Sequence, residues 1–287
     1  MSVDFVNQII CGECSEVMSK WPDECIDLTV TSPPYDNLRT YNGYVFPFKD
    51  IAQQLYRITK KGGVVVWVVS DATIDGSESG TSFKQALYFK EIGFNIHDTM
   101  IYHKNNPPPV CGNNRYYSSF EYMFVFSKNN PVLNPILEVR RNKYNDKRTS
   151  RVRPVTRNEK GVFTSKNVLI RGDEVKLQNV WSYIVSGGAS STDKVAYQHP
   201  AIFPEQLAND HIISWSNEGD VILDPFIGSG TTAIAAIKTN RQFIGIDISQ
   251  EYCELARKRI NNLLNQQSLD FGNNVKYEMI EAVSHEC

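Results

Sequence analysis

Val221-Ile222-Leu223-Asp224-Pro225-Phe226-Ile227-Gly228-Ser229-Gly230-Thr231-Thr232 decides the reading of the fold. Its first residues predict a short buried strand that ends on an acid. Gly228 and Gly230 then make a turn into an alanine-rich helical stretch. Strand, glycine turn and helix together form the crevice unit of open α/β sheets, where the backbone approaches a ligand closely. No lysine follows Gly230, so this is not a phosphate-gripping loop. The spacing Gly228-x-Gly230-x-x-Ala233 alone also suits a nicotinamide cofactor. Asp224 argues otherwise: a carboxylate there repels a pyrophosphate and suits a ligand with a free ammonium group, such as the methionine end of S-adenosylmethionine. The next strand ends at Asp247, 19 residues after Gly228. That spacing suits an acid that binds ribose hydroxyls; a helix N-terminal acid is the alternative.

Outward from this unit, strands and helices alternate. Strands are predicted at residues 7–11, 26–31, 64–69, 94–103, 120–126, 221–224 and 243–248. Helices are predicted at 49–60, 81–91, 203–216, 228–239 and 251–264, with Gly62-Gly63 stopping the first of them. The pattern predicts a doubly wound, mostly parallel α/β sheet. Between about residues 127 and 197 the periodicity weakens. A structureless loop of that length is unusual in a compact domain, so residues 129–197 read as an inserted functional module.

The chain has 287 residues and a net charge of −2, with 41% hydrophobic and 22% charged residues, enough for a sizeable core. The charge is uneven. Residues 128–176 carry 13 Lys/Arg against 5 Asp/Glu, a net of +8, leaving −10 for the rest. A basic segment in an acidic chain is a candidate contact for a polyanion, or else a solvated loop. No run of about 18 apolar residues predicts a membrane span. The start of the chain lacks a secretory pattern, and six scattered cysteines suit free thiols, so a cytoplasmic location is expected. Cys11-x-x-Cys14 lacks a second Cys/His pair and reads as thiols at a strand end, with no metal site.

The remaining chemical motif is Thr31-Ser32-Pro33-Pro34-Tyr35, at the end of a strand rich in β-branched residues. Two prolines stiffen the chain and remove two amide donors, leaving carbonyls free to accept from a ligand. Tyr35 offers a stacking face for a base. Alone, the motif is also compatible with a rigid turn and a packed tyrosine.

Taken with residues 224–232, this motif resembles the β group of bacterial DNA amino-methyltransferases, which contains N4-cytosine and N6-adenine enzymes. In that family the tetrapeptide is Asp/Asn/Ser-Pro-Pro-Tyr, and the cofactor motif is often Asp-Pro-Phe-x-Gly-Ser-Gly-Thr-Thr. The resemblance spans roughly residues 7–128 and 198–262. Glu13 stands where the family usually has Asp. The resemblance implies a seven-stranded Rossmann-like methyltransferase domain over 1–128 and 198–266, a target-recognition region at 129–197 and a tail at 267–287.

It also implies site residues. S-adenosylmethionine is expected at Glu13, Cys14, His199, Phe203, Asp224, Pro225, Phe226, Gly228, Ser229, Gly230, Thr231 and Asp247. The base amine is expected at Ser32, Pro33, Pro34 and Tyr35. Arg39, Arg115, Arg140, Arg141, Arg148, Arg151 and Arg153 are expected to contact double-stranded DNA, and Tyr41, Tyr44 and Tyr116 are candidates to fill the gap left by a flipped base. Serine at position 32 goes with N4-cytosine in this family, with N6-adenine the alternative. A cognate restriction endonuclease acting separately and a homodimer are consistent with the family. The rival readings are a nicotinamide oxidoreductase, a non-catalytic DNA-binding module, and a methyltransferase of RNA or protein amines.

Overall fold

The computed structural model describes residues 5–34, 46–107, 114–139, 151–152, 155–157, 163–165, 168–169, 174–185, 196 and 204–271. In chain order the elements are β1 (Gln8–Cys11), α1 (Cys14–Ser19), β2 (Ile26–Thr31), α2 (Phe48–Ile58), β3 (Thr59–Val69), β4 (Thr73–Ile74), β5 (Ser77–Glu78), α3 (Thr81–Glu91), β6 (Asn95–Lys104), β7 (Phe120–Ser127) and β8 (Leu137–Val139). There follow β9 (Arg151–Val152), β10 (Val155–Arg157), β11 (Phe163–Ser165), β12 (Val168–Leu169), β13 (Glu174–Lys176), β14 (Val180–Tyr183), α4 (Glu205–Trp215), β15 (Val221–Asp224), α5 (Thr231–Lys238), β16 (Gln242–Asp247) and α6 (Gln250–Phe271). No helix among the described residues is long and apolar enough to cross a membrane.

The chain divides into two compact units, Met1–Asn134 with Asn179–Cys287, and Pro135–Gln178. The first unit holds an eight-stranded sheet in the order β1-β16-β15-β2-β3-β7-β6-β14. The pairs among β1, β16, β15, β2 and β3 are parallel, whereas β7 is antiparallel to both β3 and β6. This is the α/β architecture expected, with one strand more than the seven predicted. The addition is β14, which joins β6 in parallel from within the 129–197 stretch. Its four residues alternate, with Trp181 and Tyr183 buried and Val180 and Ser182 exposed. So short an alternation carries little periodicity, and its pairing with β6 identifies it as a strand.

The core follows from the apolar runs. Residues 64–69 of β3 are buried throughout, as suits a strand covered on both faces. Ile51, Ala52, Leu55 and Ile58 line the buried stripe of α2. Each large aliphatic side chain there contributes about 1.5–3 kcal/mol by leaving water. Trp67, Phe94 and Phe126 each pack on Phe89, edge to face or stacked, with ring centroids 4.4–5.7 Å from its own.

One expectation is corrected. Gly62-Gly63 does not stop α2; the helix ends at Ile58, and both glycines lie inside β3. Close backbone approach is the reason. A Cβ on Gly63 would sit 2.9 Å from the Asp27 carbonyl oxygen and 2.8 Å from Thr59 Cγ2.

Among its described residues the second unit holds three short antiparallel ladders: β8 with β13, β9 with β12, and β10 with β11. They are nested in sequence, the pattern of a two-stranded ribbon that runs out and returns. Strands of two or three residues are too short for a periodic signal, which is why this stretch reads as irregular in the sequence.

Candidate active site

The parallel strands β1, β16, β15, β2 and β3 end on one edge of the sheet, as their registers show: Cys11 opposite Asp247, Asp224 opposite Gly245, Thr31 opposite Trp67. In α/β sheets this carboxyl edge is where ligands bind, at the point where the strand order reverses. That point lies between β15 and β2, because the chain proceeds from β15 to β16 on one side and from β2 to β3 on the other. Both chemical motifs emerge there, on neighbouring strands.

At β15, Asp224 is only 1% exposed. Its Oδ1 accepts from the Thr31 hydroxyl at 2.6 Å and from the Phe226 amide at 3.0 Å. Its Oδ2 accepts from the Thr232 hydroxyl at 2.6 Å. Burial pushes its carboxyl up to about 6, opposed by the three donors. The sequence suggested that this carboxylate faces a ligand's ammonium group; in the structure its oxygens accept from three donors of its own chain. Pro225 is buried behind it, and Phe226 meets the Phe46 and Trp67 rings at 5.6 and 6.2 Å.

The turn that follows is held from both sides. Ile227 donates its amide to the Ile246 carbonyl at 2.8 Å, and Gly228 donates to Asp247 Oδ2 at 2.9 Å. Gly230 opens α5 with φ +85°, and a Cβ there would sit 3.1 Å from Ala256, so glycine is required twice over. The Ser229 and Thr231 hydroxyls lie 3.3 Å apart, both buried.

Arg259, which the sequence motifs do not include, is 1% exposed and donates to the Ser229 carbonyl at 2.5 Å. A signal for it exists. On α6 the apolar stripe runs through Leu255, Ala256 and Ile260, and Arg259 falls on that stripe. A charge at a core position implies a specific partner.

Asp247 sits at the end of β16, with Oδ1 accepting from Ser249 and Oδ2 from Gly228, both at 2.9 Å. Burial raises its carboxyl, and the backbone donors lower it. A carboxylate has about four acceptor sites, so capacity for a hydroxyl remains beside these amides. Glu13 caps α1, accepting from the Glu16 amide at 2.9 Å and from the Ser15 hydroxyl. Cys14 is 4% exposed and belongs to the core.

Beyond Thr31, Ser32 and Pro34 are half-buried and Pro33 is buried. Arg115 donates to the Gly76 carbonyl and lies 3.8 Å from Glu78, beside the β4–β5 hairpin. Tyr116 next to it is fully exposed. Since β3 ends and β7 begins at the same edge, with Val69 opposite Tyr122, this segment enters the sheet from the side of the motifs. Tyr35, Arg39, Tyr41, Tyr44, Arg140, Arg141, Arg148, Arg153, His199 and Phe203 lie outside the described residues, and of Arg151 only the backbone, in β9, is described.

The fold is shared with solved structures. It superposes on the cytosine-N4-specific PvuII DNA methyltransferase with a TM-score of 0.65 at 19% identity, covering 90% of this chain and 91% of that one. A DNA modification methylase of Thermus thermophilus, solved with S-adenosyl-L-methionine, gives 0.61 at 23% identity over 90% and 94%. In sequence, the orphan methyltransferase M.BamHII of Bacillus amyloliquefaciens is 54% identical over 243 residues, 84% of this chain and 91% of that protein. The DNA methylase family model matches residues 26–258, from the strand that leads into Ser32 to the helix that holds Arg259. The chain therefore belongs to the N6/N4 DNA methylase family.

Proposed function

We propose that this chain transfers a methyl group from S-adenosylmethionine to the exocyclic N4 of cytosine in double-stranded DNA, on a base turned out of the helix. The observation that carries the reading is that residues 32–34 and the 224–230 turn leave adjacent strands at the switch point of the sheet. S-adenosylmethionine, when bound, supplies a methyl group on a positively charged sulfur.

The donor set suits that cofactor. Asp247 is anchored by two amides with acceptor capacity left for a ribose hydroxyl. The chain matches the DNA methylase family over residues 26–258 and an orphan methyltransferase at 54% identity. This argues against a nicotinamide cofactor.

An exocyclic amine is a weak nucleophile because its lone pair is delocalised into the ring. The Ser32 hydroxyl and the Pro33 carbonyl are assigned to accept its hydrogens and draw the lone pair out of conjugation. Tyr35 is assigned to stack on the base. Positioning supplies most of the remaining acceleration. Serine rather than a carboxylate at position 32 favours cytosine, because a hydroxyl both donates and accepts whereas a carboxylate only accepts.

Residues 129–197 are assigned to target recognition. Two features support this: the +8 charge of residues 128–176, and the nested antiparallel ladders of β8–β13. The major groove admits a two-stranded β-ribbon. Methylated DNA digested to nucleosides tests the base: N4-methylcytosine is expected, and N6-methyladenine alone would reject the cytosine assignment. Whether a cognate endonuclease acts on the same site is tested by transforming a strain that lacks this gene with that enzyme's gene; the relative at 54% identity is an orphan methyltransferase.

A further inference from the structure

The backbone ladder between β15 and β2 pairs Ile222 with Leu28 and Leu223 with Thr29. Farther on, Pro225 has no amide to donate. Side chains continue the connection where the ladder stops. Thr31 donates to Asp224 Oδ1, and Thr232, in the first turn of α5, donates to Asp224 Oδ2, both at 2.6 Å. The Thr232 hydroxyl also lies 3.3 Å from the Val30 carbonyl of β2. All three side chains are at most 1% exposed.

We propose that Thr31, Asp224 and Thr232 form a clamp that sets the distance between the cofactor turn and the base-amine residues, with Thr31 and Asp224 as positioning residues. This rests on the assignment of Ser32 and Pro33 to the amine. Thr31 is bonded directly to Ser32, and Pro33 and Pro34 leave the chain little slack. A shift at Thr31 is thus transmitted to the two acceptors. The Phe226 amide on the same carboxylate joins the turn to the same point. Asp224 thereby serves geometry rather than contact with the ligand. Displacing reacting groups by about 1 Å costs on the order of 100-fold in rate.

The test compares Thr31→Val, Thr31→Ser and Ser32→Ala in the full-length enzyme, measuring single-turnover methylation of DNA and, separately, calorimetric affinity for S-adenosylmethionine. Thr31→Val keeps the shape and removes the donor. It is expected to slow methyl transfer about 10- to 100-fold while cofactor affinity stays within about threefold. Thr31→Ser, which keeps the hydroxyl, is expected to restore most of the rate. A wild-type rate for Thr31→Val alongside a slow Ser32→Ala overturns the clamp and leaves the amine site standing. Thr31→Val and Thr31→Ser equally slow, with cofactor affinity reduced in the same proportion, also overturns it. A wild-type rate for Ser32→Ala rejects the amine site itself, and the clamp with it. If thermal unfolding shows that Thr31→Val does not fold, Thr232→Val, which cuts the other arm, carries the same expectations.

Discussion

Gly228 donates its amide to Asp247 Oδ2 at 2.9 Å, so the glycine turn after β15 is fastened to the end of the next strand. The two motifs that suggested a cofactor site in the sequence are therefore one rigid unit. The acid both shapes the turn and presents its remaining acceptor sites.

Asp247→Ala removes both functions. It is expected to weaken S-adenosylmethionine binding by roughly 10- to 100-fold, the range for losing hydrogen bonds to a charged group. Asp247→Asn retains one acceptor oxygen and should lose less. Calorimetric titration checks this, and equal affinity in wild type and Asp247→Ala would remove Asp247 from the cofactor site.

Arg259 should matter to stability. Arg259→Met leaves the Ser229 carbonyl without this donor inside the protein, at about 1–3 kcal/mol. Denaturant unfolding should show that loss. Arg259→Lys should recover part of it, because an ammonium on a shorter reach can still donate. Unchanged midpoints for both variants would mean that the hydrogen bond to Ser229 contributes nothing.

Asp224 makes the fold pH-dependent in a defined direction. Its carboxyl titrates at about 6 in the folded chain and at about 3.9 when unfolded. Between these values the folded state binds more protons, so this residue's contribution to stability falls as pH rises through the window. The deficit persists at neutral pH. Asp224→Asn should flatten that slope and leave stability at pH 7.5 equal or higher, by no more than about 3 kcal/mol. Thermal unfolding at several pH values between 4 and 8 measures it. A steeper loss on raising pH in the variant would contradict the assignment.

Charge-neutral replacements among Arg140, Arg141, Arg148, Arg151, Arg153 and Arg157 are expected to weaken DNA binding and flatten its salt dependence. The slope of log affinity against log salt should change by about 0.9 for each phosphate no longer neutralised. An unchanged slope would mean that this segment does not supply the electrostatic attraction to DNA.

Much of the fold is legible from local signals. Residues 26–31, 81–91 and 221–224 have the same bounds in the sequence reading and in the structure, since a β-branched run, a periodic apolar stripe and a buried run closed by an acid each declare themselves within a few residues. The alternating β14 and the two- or three-residue strands of the second unit do not. Arg259 is legible only as an anomaly, a cation on an apolar stripe.

The sequence by itself determined which motifs this protein carries and their order, because a glycine turn, a proline pair and an acid at a strand end are local features of the chain. Tertiary structure alone decided which groups surround Asp224. Thr31 and Asp224 are 193 residues apart in the chain, and only the pairing of β2 with β15 brings the hydroxyl within 2.6 Å of the carboxylate. Phe226 and Thr232 are near neighbours of Asp224 in the chain, whereas the Thr31 donor reaches it only through the order of strands in the sheet.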